Sequence, residues 1–231
     1  MYSEWSSPLL PGAVLWTRRR AVAAPGPVRV LPDGCMDLIW DGRQLLVAGP
    51  DTAAHLVPGR AGEEYTGLRF APGTAPLVLG VPASELTDQR VPLDALWPRS
   101  AAGIAERIGS ADDPAAALEA LAAAAAPGPV RRAAVPEALL RAARRGRPVG
   151  ETAAGLGLGE RQLRRHCLAA FGYGPKTLER VLRLGGALDR ARAGRPFALV
   201  AAESGYADQA HLSREVRALT GVPLTELLAR G

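Results

Sequence analysis

The strongest constraint on this 231-residue chain is a repeat near its C-terminus whose basic residues fall in register. Arg147-Pro148 opens the run RPVGETAAGLGLGERQLRR, and Arg195-Pro196 opens RPFALVAAESGYADQAHLSR. Each copy carries an Ala-Ala pair, a glycine three or four residues later, and a leucine followed closely by arginine: Leu163 with Arg165, Leu212 with Arg214. Small residues let one helix lie close to the next, glycine makes the turn, and the leucine anchors a second helix with a basic outer face. The pattern predicts two helix-turn-helix units in one basic segment, the arrangement that places helices in two successive major-groove segments of a duplex.

Charge divides the chain in the same way. Residues 1–127 hold ten arginines against 14 Asp and Glu, a net of −4. Residues 128–231 hold 18 Lys and Arg against nine acids, a net of +9. Phosphate is attracted to the second half and repelled by the first, so the halves are expected to do different work. Lys176 is the only lysine. The arginine bias and the alanine excess reflect GC-rich codon usage. No uninterrupted apolar run reaches the roughly 18 residues of a membrane span, and MYSEWSSPLLPGAVLW has no signal-peptide layout. Two cysteines far apart, Cys35 and Cys167, argue for reduced thiols rather than a disulfide framework or zinc site.

From Val28 to about Leu79, short apolar runs alternate with turn formers: VRVL before Pro32-Asp33-Gly34, MDLIW before Asp41-Gly42, LLVAG before Pro50-Asp51. This spacing predicts an all-β sandwich or small barrel, with a hairpin at Asp41-Gly42. Residues 101–126 are alanine-rich and predicted helical, with a break at Asp112-Asp113-Pro114. Pro127-Gly128-Pro129 is the expected domain boundary, since neither helix nor strand passes comfortably through it. Beyond it everything reads helical. Leu178, Val181, Leu182, Leu184 and Leu188 mark a long helix over about 176–193, and a closing helix is expected around 224–229. Eighteen helical residues span about 27 Å, against roughly 34 Å for one DNA turn. A rod of that length suits two recognition helices on one face of the duplex.

AAGLGLGERQLRRHCLAAFGYGP (153–175) and GYADQAHLSREVRALTGVPLTEL (205–227) resemble the AraC/XylS family of transcriptional regulators, whose DNA-binding domain joins two helix-turn-helix units by a long helix. PDGCMDLIW (32–40), GLRFAPG (67–73) and LGVPASELTDQRVPLDALW (79–97) resemble a β-rich, sensor-like domain found attached to such regulators. Two positions depart from the family pattern. Cys167 stands where the first unit usually has a bulky aromatic, and Pro223 comes one residue early.

The resemblance and the helical spacing together assign residues. With Leu163 and Cys167 inward, Arg161, Arg164 and Arg165 face a groove; with Leu212 and Val216 inward and Asp208 as N-cap, Ala210, His211 and Arg214 do the same. Arginine reads guanine O6 and N7, and Ala210 offers no more than contact with a thymine methyl. Gln162, Gln209, Ser213 and Arg217 are placed for phosphates, which fix register without reading sequence. Trp16, Trp40 and Trp97 are candidates for an effector pocket, with core packing as the competing role.

The expectation is thus an α+β chain of two domains: an N-terminal β-rich, cupin-like barrel or sandwich and a C-terminal all-α double helix-turn-helix joined by a long helix. Its divisions are residues 1–100 for sensing or dimerisation, 101–129 as a helical linker, and 130–231 for DNA. The expected partners are double-stranded DNA and RNA polymerase, with a small-molecule effector and a second copy of the chain as further candidates and no membrane. The expected location is the cytoplasm, at the nucleoid when DNA-bound. No catalytic constellation, metal site or cofactor is expected: His55 is the sole histidine of the first half. The alternative is a DNA-tethered enzyme or alkyl-transfer repair protein using Cys35 as nucleophile. A third reading is a purely architectural DNA binder.

Overall fold

A computed structural model describes residues 1–19, 26–58, 62–98, 101–128, 130 and 133–229. Pro129 of the expected boundary lies outside them. Eight short strands occupy the first part: β1 (Tyr2–Ser6), β2 (Val14–Arg19), β3 (Val28–Val30), β4 (Asp37–Trp40), β5 (Leu45–Ala48), β6 (His55–Val57), β7 (Glu64–Arg69) and β8 (Arg90–Pro92). Six form one sheet in the order β1-β2-β7-β4-β5-β8, and β3 pairs with β6 as a separate antiparallel ribbon. The β4–β5 hairpin turns at Asp41-Gly42 as expected, with Asp41 Oδ1 accepting from the Arg43 and Gln44 amides at 2.9 and 2.8 Å.

The barrel form of the expectation is corrected here. β1 and β8 end the sheet and do not pair with each other, so it stays open. Its apolar face is covered by helices. Leu15, Leu38, Val47 and Leu68 alternate onto that face and pack with Ile104, Ile108, Ala115, Leu118 and Ala122. The last five belong to α3 (Ala101–Gly109) and α4 (Pro114–Ala125), the segment read above as a linker. The break between the two helices falls where Asp113 caps α4, accepting from Ala115 and Ala116 at 3.0 and 3.1 Å. Buried Glu119 of α4 accepts from Ser7 Oγ and the Leu9 amide, tying α4 to the β1–β2 loop. Two short helices, α1 (Ala75–Leu79) and α2 (Leu93–Leu96), complete this layer, with a 3₁₀ turn at Ala83–Glu85 between them.

The second part is helical among its described residues: α5 (Ala134–Arg144), α6 (Val149–Gly155), α7 (Glu160–Phe171), α8 (Pro175–Arg192), α9 (Phe197–Glu203), α10 (Gln209–Thr220) and α11 (Leu224–Ala229). It has two cores. One gathers Leu139, Leu140, Ala153, Leu163, Cys167, Phe171, Leu178 and Val181; the other gathers Leu184, Leu188, Val200, Ala201, Leu212, Val216 and Leu224. α8 contributes to both, its first half to the first core and its second half to the other. Cys167, fully buried, fills the inner face of α7.

Candidate nucleic-acid interface

Each repeat folds into a helix, a turn and a second helix: α6 then α7, α9 then α10. Leu163 and Cys167 on α7, and Leu212 and Val216 on α10, are fully buried, so the opposite faces of both helices turn outward. Arg161, Arg164 and Arg165 on α7 and Ala210 and Arg214 on α10 are all exposed, as the spacing implied.

Ion pairing separates these arginines from those packed around α8, although exposed Arg144, Arg145 and Arg147 also pair with no acid among the described residues. Arg180 of α8 meets Glu215 at 2.8 Å, Arg183 meets Glu179 at 3.0 Å, and Arg190 and Arg195 share Glu203 at 3.5 and 3.0 Å. Arg183 also lies 5.2 Å over the Tyr206 ring. The Arg180 guanidinium holds the Glu215 carboxyl below its ordinary range. The Arg180–Glu215 and Arg190–Glu203 pairs pin α10 and α9 to α8. By contrast, no acid among the described residues forms an ion pair with Arg161, Arg164, Arg165, Arg214 or Arg217. Five unneutralised guanidinium groups project from the two second helices, a charge distribution suited to phosphate and guanine edges.

Other assigned residues have local work as well. His211 is half-buried; its Nδ1 accepts the Ala207 amide at 3.2 Å, and its ring meets Tyr206 edge-on at 5.4 Å. Nδ1 therefore carries no proton in this arrangement, and Nε2–H is the ring's remaining donor. Asp208 caps α10 through the His211 amide, as expected. Gln162 Oε1 accepts the Gly159 amide at 3.2 Å, supplying the side-chain cap that glycine cannot. Ser213 Oγ donates to the Gln209 carbonyl at 2.9 Å, while Gln209 and Arg217 are exposed.

Residues 152–230 match the helix-turn-helix domain family. This is an AraC-type DNA-binding domain. Residues 13–92, ahead of the AraC-type domain, match a domain of unknown function, DUF6597. Among curated proteins none matches the chain. Among solved structures the chain is similar to ToxT from Vibrio cholerae O395, at 9% identity and a TM-score of 0.50 over 94% of this chain and 97% of that one. A second ToxT structure, in another crystal form, aligns over 94% and 98% with the same score and identity. A third, over 92% and 98%, holds ToxT bound to (E)-4-(8-methylnaphthalen-1-yl)but-3-enoic acid. At this identity the likeness is one of fold alone, and it runs over nearly the whole of both chains.

In the N-terminal domain the structure does not bring the three candidate tryptophans together. Trp40 and Trp97 pack on the helix-covered core, Trp97 Nε1 donating to the Leu79 carbonyl at 3.1 Å. Trp16 points from the other face of the sheet, where its ring lies on Gly67, a position where a Cβ would fall 2.2 Å from the ring. Its Nε1 donates to Asp37 at 2.7 Å. Beside it Arg69 reaches Asp33 and Asp37 at 3.5 and 3.6 Å. Burial raises the Asp37 carboxyl to about 6, against the pull of Arg69. Burial and the Asp33 and Asp37 carboxylates push the Cys35 thiol well above its ordinary value, the opposite of an activated nucleophile. Sequence reasoning missed this cluster. Asp37 and Arg69 are 32 positions apart and meet because β4 and β7 are sheet neighbours with those two residues in register.

Proposed function

We propose that this protein is a sequence-specific transcriptional regulator that reads two adjacent major-groove segments, α7 entering one and α10 the next. Arg161, Arg164, Arg165, Ala210, His211 and Arg214 form the base-facing set; Gln162, Gln209, Ser213 and Arg217 serve phosphates, the first and third while also capping or bracing their own helices. The observation that carries this reading is the set of unpaired guanidinium groups on the two repeat-related helices, beside structural arginines that are neutralised. In this scheme residues 130–231 bind DNA and contact RNA polymerase. Residues 1–100, with α3 and α4 packed beneath the sheet, sense a small molecule, dimerise, or both. ToxT, whose fold this chain shares, has been crystallised with an aromatic butenoic acid, which supports a small organic effector. The site of action is the cytoplasm, at the nucleoid when DNA-bound.

Selection of random duplex DNA by the full-length protein at physiological salt tests the proposal. The expected product is an enriched motif with two contacted segments about one helical turn apart. Salt-sensitive binding with no enriched sequence, with and without candidate effectors, would leave only a non-specific binder.

A further inference from the structure

The N-terminal domain touches both helix-turn-helix units, and it does so at the same step of the repeat. α7 ends at Gly172 and α10 at Gly221, both left-handed at φ 83° and 77°, where a non-glycine residue is strained. At the first end, Thr87 Oγ1 donates to the Gly172 carbonyl at 2.8 Å. Pro50 and Thr87 close over Gly172 so tightly that a Cβ there would fall 2.4 and 2.7 Å from them. At the second end, Arg29 of β3 donates through Nη1 to the Thr220 carbonyl. The Ala54 amide, just before β6, donates to the Leu219 carbonyl at 2.7 Å, and Leu31 packs on the second core. Loops flanking the open sheet and the β3–β6 ribbon therefore grip the C-terminal ends of both second helices.

The helix that links the units carries two consecutive glycines near its midpoint. Gly185-Gly186 sits in the middle of the unbroken α8, just past Leu184, the first of its residues in the second core. A Cβ at Gly185 would meet nothing within 4 Å, so no close packing requires glycine there. Two consecutive glycines lower helix stability and let the rod bend.

We propose that Thr87 and Arg29 are positioning residues for the two-segment reader: the N-terminal domain is a strut that sets the separation of α7 and α10, which α8 alone does not hold. The inference rests on the DNA-reading function above and adds what fixes its geometry. A rigid separation restricts the protein to one spacing of its two DNA segments; a bending rod accepts several.

The test uses full-length protein and duplexes in which the two selected segments are kept or moved apart by one or two base pairs. Wild type prefers one spacing. Thr87→Val and Arg29→Ala each weaken that preference by about two- to tenfold, the range carried by one lost hydrogen bond. Affinity for a duplex with only one segment, and for non-specific DNA, stays as in wild type. Thr87→Ser, which keeps the hydroxyl, retains the preference. Gly185→Ala in the Thr87→Val background restores it by stiffening α8, a readout that a merely structural loss would not move. Unchanged spacing preference in a folded Thr87→Val/Arg29→Ala double variant overturns the strut, as does equal loss of binding to every duplex. A wild type with no preferred sequence at any spacing is a different failure, that of the DNA reader itself, visible before any variant is made.

Discussion

Arginines of the same segment are divided by their surroundings into ion-paired and unpaired groups. Arg180 and Arg183 are held by Glu215, Glu179 and the Tyr206 ring, whereas Arg165 and Arg214 face solvent without an acid. Arg165→Ala and Arg214→Ala are each expected to cost about 1–3 kcal/mol on the selected site and to relax base choice there. Arg217→Ala should weaken all sequences alike and flatten the salt dependence by about one unit of slope; a loss confined to one sequence would reassign Arg217 to base reading. Asp37 makes a second prediction at this scale. Its carboxyl rises from 3.8 to about 6 on folding, so the folded state holds its proton more tightly. Its contribution is therefore fully present below about pH 4 and is lost as pH rises through 6, amounting to about 3 kcal/mol. Asp37→Asn should remove this part of the pH dependence, so that the melting temperature of wild type relative to the variant falls between pH 4 and 7. Parallel curves for the two proteins would contradict it.

α7 and α10 differ at their N-termini. α10 begins with Asp208, whose carboxylate accepts the His211 amide, and α7 begins with Gly159, which has no side chain to offer. Asp208→Ala should therefore cost about 1 kcal/mol in denaturant unfolding, with Asp208→Asn retaining most of it. If the alanine variant is as stable as wild type, the cap contributes nothing and His211 alone closes the turn. Each of these elements was legible in the sequence because its cause is local. Hydrophobic spacing marked α8 and the inner faces of α7 and α10, Asp-Asp-Pro marked the start of α4, and Asp-Gly marked the β4–β5 hairpin. Which helices cover the sheet was not legible, because the apolar residues of α3 and α4 look the same whether they face a core or a linker.

In the whole molecule, the four tryptophans lie before residue 98 and most of the helix lies after residue 133. Tryptophan fluorescence and far-ultraviolet circular dichroism thus follow different halves of one chain. The N-terminal domain grips the ends of both α7 and α10, so the two signals are expected to report one coincident thermal transition. Two well-separated transitions would mean that the halves unfold independently and that the contacts at Gly172 and Leu219 carry little energy.

What the sequence by itself determined is the pair of helix-turn-helix units, their inner and outer faces, the connecting helix and the split of charge, because periodicity, turn glycines and charge are properties of neighbouring residues. Only the tertiary structure decided that the sheet stays open, that Trp16 turns away from Trp40 and Trp97, and that Asp37 meets Arg69. It also decided which arginines are neutralised and that Thr87 and Arg29 reach the ends of the reading helices. The contacts of Asp37 with Arg69, Thr87 with Gly172 and Arg29 with Thr220 join residues 32 to 191 positions apart, and the chain's local pattern holds no record of which distant strand or helix end will be brought alongside.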